Sequence, residues 1–325
     1  MNEEALLIVN PRSGVDRNKE TMIETASRLC ESHGMRLNIE FTSGPGDGRK
    51  IAEEGSRRGY GLVIAAGGDG TVRDVADGLW KTSTAMGIVP MGSGNGLARS
   101  LGISQEESEA LVTAITGQTI TIDRGLANGG SFYSAFGVGF DAEVSYRFAQ
   151  DKRRGRSTYI KHALRQILSY KPRRFRLTYG HEISIETEAL LIAACNCMQY
   201  GNNAYISPKA DPTDGLLDIT VVHQGNFLST AIAGIDLFMG RLDHNVLVQM
   251  FRTKGIVITM EGADHCITHL DGEPEQTSPE VHICCERGGL MIRIPKGLPP
   301  FKPILSPMKS MWDDMLGDIR KNLQS

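Results

Sequence analysis

The sequence predicts an α/β protein whose second half is rich in β-strands. Apolar segments of strand length alternate with segments of helical spacing before about residue 100, which is typical of a doubly wound parallel sheet. From residue 120 the pattern changes to short strands and turns with few helices, which indicates an antiparallel sandwich or barrel. We therefore expect an α/β domain over 1–125 and a β-rich domain over 126–299.

Length, charge and cysteine content agree with a cytoplasmic two-domain protein. The chain has 325 residues and a formal net charge of −3. A chain so close to neutral has no general attraction to nucleic acid, so we expect no such partner. The polar N-terminus differs from a secretory signal, and the longest apolar runs have the length of strands. The six cysteines have no paired C-x-x-C spacing, which argues against a disulfide framework or a zinc knuckle.

In the first domain, uninterrupted apolar runs predict strands and apolar residues three or four apart predict helices. The predicted strands are 5–9, 37–42, 61–67 and 86–90, and the predicted helices are 18–33, 47–58 and 71–80. In the second domain the predicted strands are 120–124, 131–140, 174–179, 183–187, 190–197, 216–223, 255–260, 266–270, 281–285 and 290–294, with helices at 142–150, 157–170 and 226–251. Apolar residues at helical spacing also predict a C-terminal helix over 300–325 that packs back on the first domain.

Four polar or glycine-rich loops leave the carboxyl ends of the predicted parallel strands. They are Asn10–Gly14, Thr42–Gly44, Gly67–Thr71 and Gly92–Asn95. The carboxyl ends of such strands share one edge of the sheet, where ligands bind. The backbone N–H groups of a glycine turn at a helix N-terminus attract anions. We therefore expect these loops to form one phosphate-binding crevice, although each loop alone is typical of an ordinary turn.

Asp69, within the third of these loops, does not fit a bare phosphate cradle. A second anion beside a phosphate is repulsive unless a cation bridges the two or a substrate hydroxyl donates to the carboxylate. The alternative is a tight turn in which Asp69 caps a helix. At this point both interpretations remain open.

Ten basic residues without an intervening acid lie between 152 and 176. Many charge runs are simply the solvated face of a helix, but this one has no compensating acid within it. Each basic residue near an anionic membrane contributes on the order of 1 kcal/mol to binding. We therefore expect segment 152–176 to contact the inner membrane leaflet, with ATP phosphates as another anion that one or two of the arginines could bind.

The motifs, taken in order, resemble the diacylglycerol kinase-like lipid kinases, a family that includes bacterial diacylglycerol kinases and sphingosine and ceramide kinases. The resemblance covers nearly the whole chain. It is carried by the motifs Asn10–Gly14, Gly67–Thr71, Pro90–Asn95, Gly137–Ala142, Pro208–Leu217 and Leu270–Glu273. It implies a nucleotide-binding domain, a β-rich domain with the lipid pocket, and Mg²⁺-ATP as the phosphoryl donor.

The resemblance also implies roles for individual residues. The implied nucleotide contacts are Asn10, Thr42, Gly67, Gly68, Gly70, Thr71, Gly92, Ser93 and Asn95. Asp69 is implied to serve the metal or the substrate hydroxyl. Asp214 resembles the residue of an acidic turn that holds a structural Mg²⁺ in bacterial members.

Asp271 and Glu273 flank a glycine, and two carboxylates so placed can serve separate tasks in phosphoryl transfer. By itself the Asp-Gly pair is more typical of a hairpin turn, and the resemblance favours the catalytic interpretation. We assign Asp271 as the general base and Glu273 as a ligand of the metal or the nucleotide. Whether Asp69 or Asp271 takes the proton stays open.

The chain departs from the family pattern at Gly96, at the pair Arg73-Asp74 and at Ser145. Many diacylglycerol kinases have Asp where this chain has Gly96, and Arg73 with Asp74 stand where Asn-Glu is common. Where sphingosine kinases place an acid for the substrate amine, this chain has Ser145, with Glu143 nearby. These departures leave the lipid undetermined.

We therefore expect an ATP- and Mg²⁺-dependent kinase of a membrane lipid, either diacylglycerol or a sphingoid- or ceramide-like lipid, acting in lipid metabolism and phospholipid biosynthesis. The protein would be cytoplasmic and peripheral at the membrane. The alternatives are a kinase of a soluble substrate resembling NAD kinase, and a non-catalytic lipid-binding protein. We leave a homodimer open.

Overall fold

The computed structural model describes residues 3–14, 19–150, 170–180 and 183–297, without the side chains of residues 3 and 148–150. The helices predicted at 157–170 and 300–325 lie outside the described residues, apart from residue 170. Residues 152–169 of the basic segment also lie outside them.

The first part of the chain alternates strands and helices as predicted. Its elements are β1 (Glu3–Val9), α1 (Lys19–Ser32), β2 (Met35–Phe41), α2 (Asp47–Arg57), β3 (Leu62–Gly67), α3 (Asp69–Leu79), β4 (Ala85–Pro90), α4 (Gly96–Ser100) and α5 (Glu107–Thr116). The strands are parallel in the order β2-β1-β3-β4. β3 and β4 are buried at every position, because helices cover both faces of such a sheet.

The second part is mainly antiparallel. Its elements are β5 (Gln118–Ala127), β6 (Gly130–Phe132), β7 (Ala135–Gly139), α6 (Phe140–Gln150), β8 (Arg173–Tyr179), β9 (Ile183–Ala189), β10 (Leu191–Cys195), β11 (Leu217–Val222), α7 (Phe227–Met239), a 3₁₀ turn (Leu242–His244), β12 (Val248–Thr253), β13 (Gly255–Met260), β14 (Cys266–Leu270), β15 (Glu273–Thr277) and β16 (Glu280–Ile294). Together the two parts confirm the predicted fold class.

The strands form two sheets, and one of them runs through both parts of the chain. The larger has the order β2-β1-β3-β4-β16-β13-β8-β9, with β5 paired to β16 and to β6. β16 pairs parallel with β4 through Ile292 and Met86, and antiparallel with β5 and β13. The smaller sheet has the order β12-β11-β10-β7-β14-β15. The C-terminal end of β16, the last described strand, therefore joins the parallel strands of the larger sheet to its antiparallel strands.

Several elements differ from the prediction. The strand predicted over 131–140 is two strands, β6 and β7, and α6 begins at Phe140; α4 and α5 were not predicted. The helix predicted over 226–251 ends at Met239, where Gly240 adopts the left-handed conformation (φ 65°) that stops helices; β12 follows. The strands predicted at 281–285 and 290–294 are one strand, β16, with a bulge between Glu286 and Leu290. β15 was not predicted, because it is a polar strand at the edge of its sheet.

Candidate functional site

A cleft of about 360 Å³ opens at the carboxyl ends of β1, β2 and β3. The predicted residues that line it are Asn10, Thr42, Gly68, Gly70, Thr71 and Glu273. Arg12, Ser13, Ser43, Gly44, Pro45, Arg73 and Asp74 complete the lining. The cleft therefore lies where the parallel topology predicts a ligand site.

The floor of the cleft is the glycine turn between β3 and α3. β3 ends at Gly67, and α3 begins at Asp69 as a helix of 11 residues. A Cβ at Gly67 would lie 2.6 Å from the Cβ of Thr71, so only glycine fits there. The Asn10 side-chain amide donates to Thr71 Oγ1 at 2.9 Å, which joins the first loop to this turn. The helix N-terminus thus presents its positive end to the cleft.

The second glycine loop packs directly on the first. A Cβ at Gly92 would lie 2.8 Å from Gly68 Cα. Asn95 is 6% exposed, and its amide nitrogen donates to the Gly92 carbonyl and to the Gln105 side chain at 2.9 and 2.8 Å. Asn95 therefore holds the loop in shape, while Ser93 is exposed on the loop.

Asp69 joins the two glycine loops. Its carboxylate accepts the backbone N–H groups of Asn95 at 2.9 Å and Gly96 at 2.8 Å. It therefore caps a helix, but that helix is α4 rather than its own. Burial raises the pKa of Asp69 to about 6, although both amide bonds favour the charged form.

This pKa predicts how stability depends on pH. A carboxyl group with a raised folded-state pKa stabilises the fold below its unfolded pKa, and this contribution is lost as pH rises through the folded value. For Asp69 the window runs from 3.8 to about 6. We expect the free energy of unfolding to fall across this window more steeply in the wild type than in Asp69→Asn. Urea denaturation at several pH values measures both slopes, with exposed Glu54→Gln as a control. Parallel slopes in wild type and Asp69→Asn would contradict the expectation.

Asp271 occupies the tight turn between β14 and β15, as the Asp-Gly pattern predicts. Asp271 and Gly272 both adopt left-handed conformations (φ 53° and 85°). The Asp271 carboxylate accepts three backbone N–H groups, from Tyr133 at 2.9 Å, Ser134 at 2.7 Å and Ala135 at 3.0 Å. Burial raises its pKa, and the three amide bonds oppose the rise. The carboxylate is thus fixed in position and can act as a base only with its remaining lone pairs.

Arg73 connects α3 to this hairpin. Its guanidinium donates to the Leu270 carbonyl at 3.0 Å and forms an ion pair with Glu273. A side chain at Gly70 would overlap the Glu273 carboxylate, so Glu273 lies against the glycine turn. The neighbouring Asp74 accepts the Gly46 N–H at 2.8 Å and ties the loop after β2 to α3. The Arg73-Asp74 pair therefore positions two walls of the cleft.

The predicted metal residue Asp214 lies elsewhere. One carboxylate oxygen accepts the Leu216 N–H at 2.9 Å, and the other is 3.6 Å from Arg252. Within the part of the chain that the structure describes, no three His, Cys, Asp or Glu side chains are grouped so that they could hold a metal. A metal at Asp214 stays a prediction.

The structure explains the glycine at position 96. A Cβ there would lie 2.6 Å from the Tyr200 carbonyl oxygen and 3.1 Å from Ser134 Oγ. The loop after β10 therefore occupies the space that an aspartate side chain would need. The sequence shows the departure but not its cause, because Tyr200 is distant along the chain.

Comparison with known proteins agrees with this arrangement. A model of the diacylglycerol kinase catalytic domain matches residues 4–127, and a model of the YegS C-terminal NAD kinase beta sandwich-like domain matches residues 134–292. A Pseudomonas aeruginosa protein named probable lipid kinase YegS-like is 29% identical over 275 residues, which are 82% of this chain and 87% of that protein. The Bacillus subtilis diacylglycerol kinase is 27% identical over 277 residues, which are 83% of this chain and 89% of that protein. The crystal structure of a candidate diacylglycerol kinase from Bacillus anthracis has a TM-score of 0.76 and 26% identity, and the match covers 91% of this chain and 97% of that one.

Proposed function

We propose, since this chain belongs to the diacylglycerol kinase-like lipid kinases, that it transfers the γ-phosphoryl group of ATP to a hydroxyl of a membrane lipid. The observation that carries the proposal is the contact between the two parts of the chain at the cleft. Arg73 holds the hairpin that bears Asp271 and Glu273 against the glycine turn. Phosphoryl transfer needs groups that hold the phosphates and a base near the acceptor hydroxyl. The glycine turn and the carboxylates of the hairpin can supply these groups.

The lining of the cleft suits a nucleoside triphosphate. Gly68 and Gly70 line it without side chains, and the N-terminus of α3 faces it. Arg12 adds a cationic side chain to the lining. These features would bind phosphate groups rather than the adenine base, so we infer that the phosphate chain lies at the glycine turn.

The Glu273 carboxylate suits a Mg²⁺ ion whose other ligands would come from the nucleotide and from water. Mg²⁺ in kinases is held by one or two carboxylates together with phosphate oxygens and waters. One carboxylate beside the phosphate site is therefore sufficient on the protein side. The ion would neutralise charge on the transferred phosphoryl group, and Glu273 would exchange part of its ion pair with Arg73 for the ion.

Asp271 is the general base in this proposal. Its backbone hydrogen bonds hold the carboxylate at one place, and burial raises its pKa, which strengthens it as a base. Asp69 keeps the two glycine loops together and lies close enough to Asp271 for their charges to interact. Asp271 accepts the proton of the lipid hydroxyl as the oxygen attacks the phosphorus atom.

Radiolabelled ATP tests the proposal with a panel of acceptors. The panel contains diacylglycerol, monoacylglycerol, sphingosine, ceramide, phosphatidylglycerol and NAD, the lipids in mixed micelles. Label in a lipid supports the proposal. Label in NAD alone supports the second candidate, a kinase of a soluble substrate, which the NAD kinase-like description of the C-terminal model favours. Transfer to none of the acceptors would favour a non-catalytic lipid-binding protein.

A kinase of a membrane lipid has to contact a membrane surface, and the exposed face of α7 supports such contact. Phe227, Leu228 and Ile235 are 71%, 67% and 62% exposed, and nearby Val246 is 92% exposed. Asp236 is the single charged residue of α7, and its carboxylate accepts a hydrogen bond from Asn245. No described helix is long and apolar enough to cross a membrane.

A bilayer suits this face better than a second copy of the chain does. The lipid substrate proposed above lies in a bilayer, so an apolar face near the site would meet that bilayer. α7 also adjoins the site, because its Leu237 carbonyl accepts the Tyr205 N–H at 3.0 Å and the same loop donates from Asn202 to Gly94 at 3.3 Å. In the described part of the basic segment, Arg174 and Arg176 instead pair with acids.

We expect the double variant Phe227→Ser, Ile235→Ser to reduce binding to phosphatidylglycerol-containing vesicles at least about tenfold, because each side chain loses about 1.5–3 kcal/mol of burial. Co-sedimentation measures binding, and Val112→Ser, an exposed apolar residue on α5, is the matched control. Binding through α7 should persist at high salt, whereas binding through segment 152–176 should weaken. Unchanged binding by the double variant would contradict the role of α7, and a changed oligomeric state would indicate a dimer instead.

A further inference from the structure

A buried polar cluster lies directly behind the Asp271 turn. It contains His269 on β14, Asp141 at the start of α6 and Tyr200 in the loop after β10. The side chains of His269 and Asp141 are 2% and 6% exposed. They are therefore shielded from substrate and solvent, and any effect they have on the reaction must pass through other residues.

The hydrogen bonds of the cluster define the state of the imidazole. Nδ1 of His269 accepts the backbone N–H of Gly272 at 3.3 Å, so the ring proton is on Nε2. Nε2 then donates to Asp141 Oδ2 at 3.2 Å, and the Tyr200 hydroxyl donates to the same oxygen at 2.5 Å. The other Asp141 oxygen accepts the Ala142 N–H at 2.8 Å. Each member of the cluster is thus oriented by the next.

The cluster also has space reserved for it. A side chain at Gly137, on the neighbouring strand β7, would overlap both the Asp141 carboxylate and the His269 ring. Glycine at this position therefore lets the two groups meet.

The cluster contacts the turn that carries the proposed base, Asp271. Asp271 and Gly272 both have left-handed φ angles, and for a residue with a side chain this conformation costs roughly 1–2 kcal/mol. The hydrogen bond from Gly272 to His269 is a side-chain contact that holds the backbone of this turn from behind. A small rotation of the turn would move the Asp271 carboxylate away from the backbone amides that it accepts.

We propose that His269 is a positioning residue for the reaction: its Nδ1 holds the Asp271-Gly272 turn in the productive orientation, and Asp141 and Tyr200 hold the ring. This inference rests on the proposed function, because it assigns His269 a role through the proposed base. Misplacement of a catalytic group by about 1 Å can reduce a rate by about 10².

Two substitutions separate this role from general stability. In His269→Asn the amide oxygen lies near the position of Nδ1 and can still accept the Gly272 N–H. In His269→Gln the amide lies near the position of Nε2, so it keeps the bond to Asp141 but loses the bond to the turn. We expect His269→Gln to lower kcat at least about tenfold with KM for ATP and lipid within about twofold. We expect His269→Asn to keep kcat within about threefold of the wild type.

Amide hydrogen exchange at Gly272 provides a readout without activity. Exchange of this amide should be faster in His269→Gln and close to the wild-type rate in His269→Asn. Thr268→Val is the matched control, since Thr268 is fully buried on the same strand and its side chain points to the opposite face. It should lower the melting temperature without changing kcat. Tyr200→Phe, which keeps the ring, should lower kcat about two- to fivefold.

Two results would overturn the inference. One is a wild-type kcat in His269→Gln. The other is a fall of kcat in both His269 variants that is proportional to the fall of their melting temperatures. Failure of the proposed function is distinguishable, because the wild type would then transfer no label to lipid, while the Gly272 exchange rates would still report whether His269 holds the turn.

Discussion

Asp271→Asn is expected to reduce lipid phosphorylation by about 10²–10⁴-fold, the usual contribution of a positioned general base. The amide cannot take the proton of the attacking hydroxyl. In the wild type both carboxylate oxygens of Asp271 accept backbone N–H groups. In the variant an NH₂ group replaces one of these oxygens and therefore faces a backbone N–H. One buried donor then loses its acceptor, which costs about 1–3 kcal/mol of stability.

The two effects of Asp271→Asn are measured separately. Initial rates with the lipid that the panel identifies give kcat, calorimetry gives the affinity for ATP, and thermal unfolding gives stability. We expect the affinity for ATP to change little, because the glycine loops hold the phosphates. Asp264→Asn is the control, since Asp264 is an exposed carboxyl at the other end of β14. Transfer near the wild-type rate in Asp271→Asn would indicate that Asp69 is the base. Asp69→Asn should then abolish phosphoryl transfer.

Gly92→Ala is expected to lower the affinity for ATP at least about tenfold and to cost about 1–3 kcal/mol of stability. The new methyl group would lie 2.7 Å from Asn95 Oδ1 and 2.8 Å from Gly68 Cα. The second of these atoms is backbone, so the two glycine loops must separate. Their separation would displace the N–H groups that face the phosphates.

Calorimetric titration with ATP and thermal unfolding measure the effects of Gly92→Ala. The matched control is Gly61→Ala, at the opposite end of the strand that leads to the glycine turn. A Cβ at Gly61 meets no atom within 4 Å, so the control should bind ATP as the wild type does. An unchanged affinity in Gly92→Ala would show that the contact between the loops is not needed to form the nucleotide site.

The sequence predicted the first part of the fold well, for a physical reason. β3 and β4 are buried on both faces and read as continuous apolar runs, while α3 carries its buried residues at helical spacing. The prediction for 226–251 was wrong because it extended the helix through Gly240, at which α7 ends, and through the mostly polar segment 241–245 that separates α7 from β12. β15 was missed because an edge strand needs no apolar residues.

The resemblance to the lipid kinases and the enzyme class were predicted from the order of motifs along the chain. The loops that build the cleft were predicted from their place at the carboxyl ends of parallel strands. Asn10, Thr42, Gly68, Gly70, Thr71 and Glu273 do line one cleft. The other predicted site residues behave differently. Asn95 and Asp69 hold the glycine loops together, Asp271 accepts three backbone amides, and Asp214 lies at a separate turn.

The succession of strands and helices, the glycine turns and the residue types at the site could be predicted from the sequence, because they follow from local spacing and conformational preference. How the two parts of the chain contact each other is visible only in the folded structure. The ion pair of Arg73 with Glu273, the contact of Gly96 with Tyr200 and the cluster behind Asp271 each join residues far apart in the chain. Such contacts depend on the packing of two sheets, and packing leaves no period or spacing in the sequence from which it could be predicted.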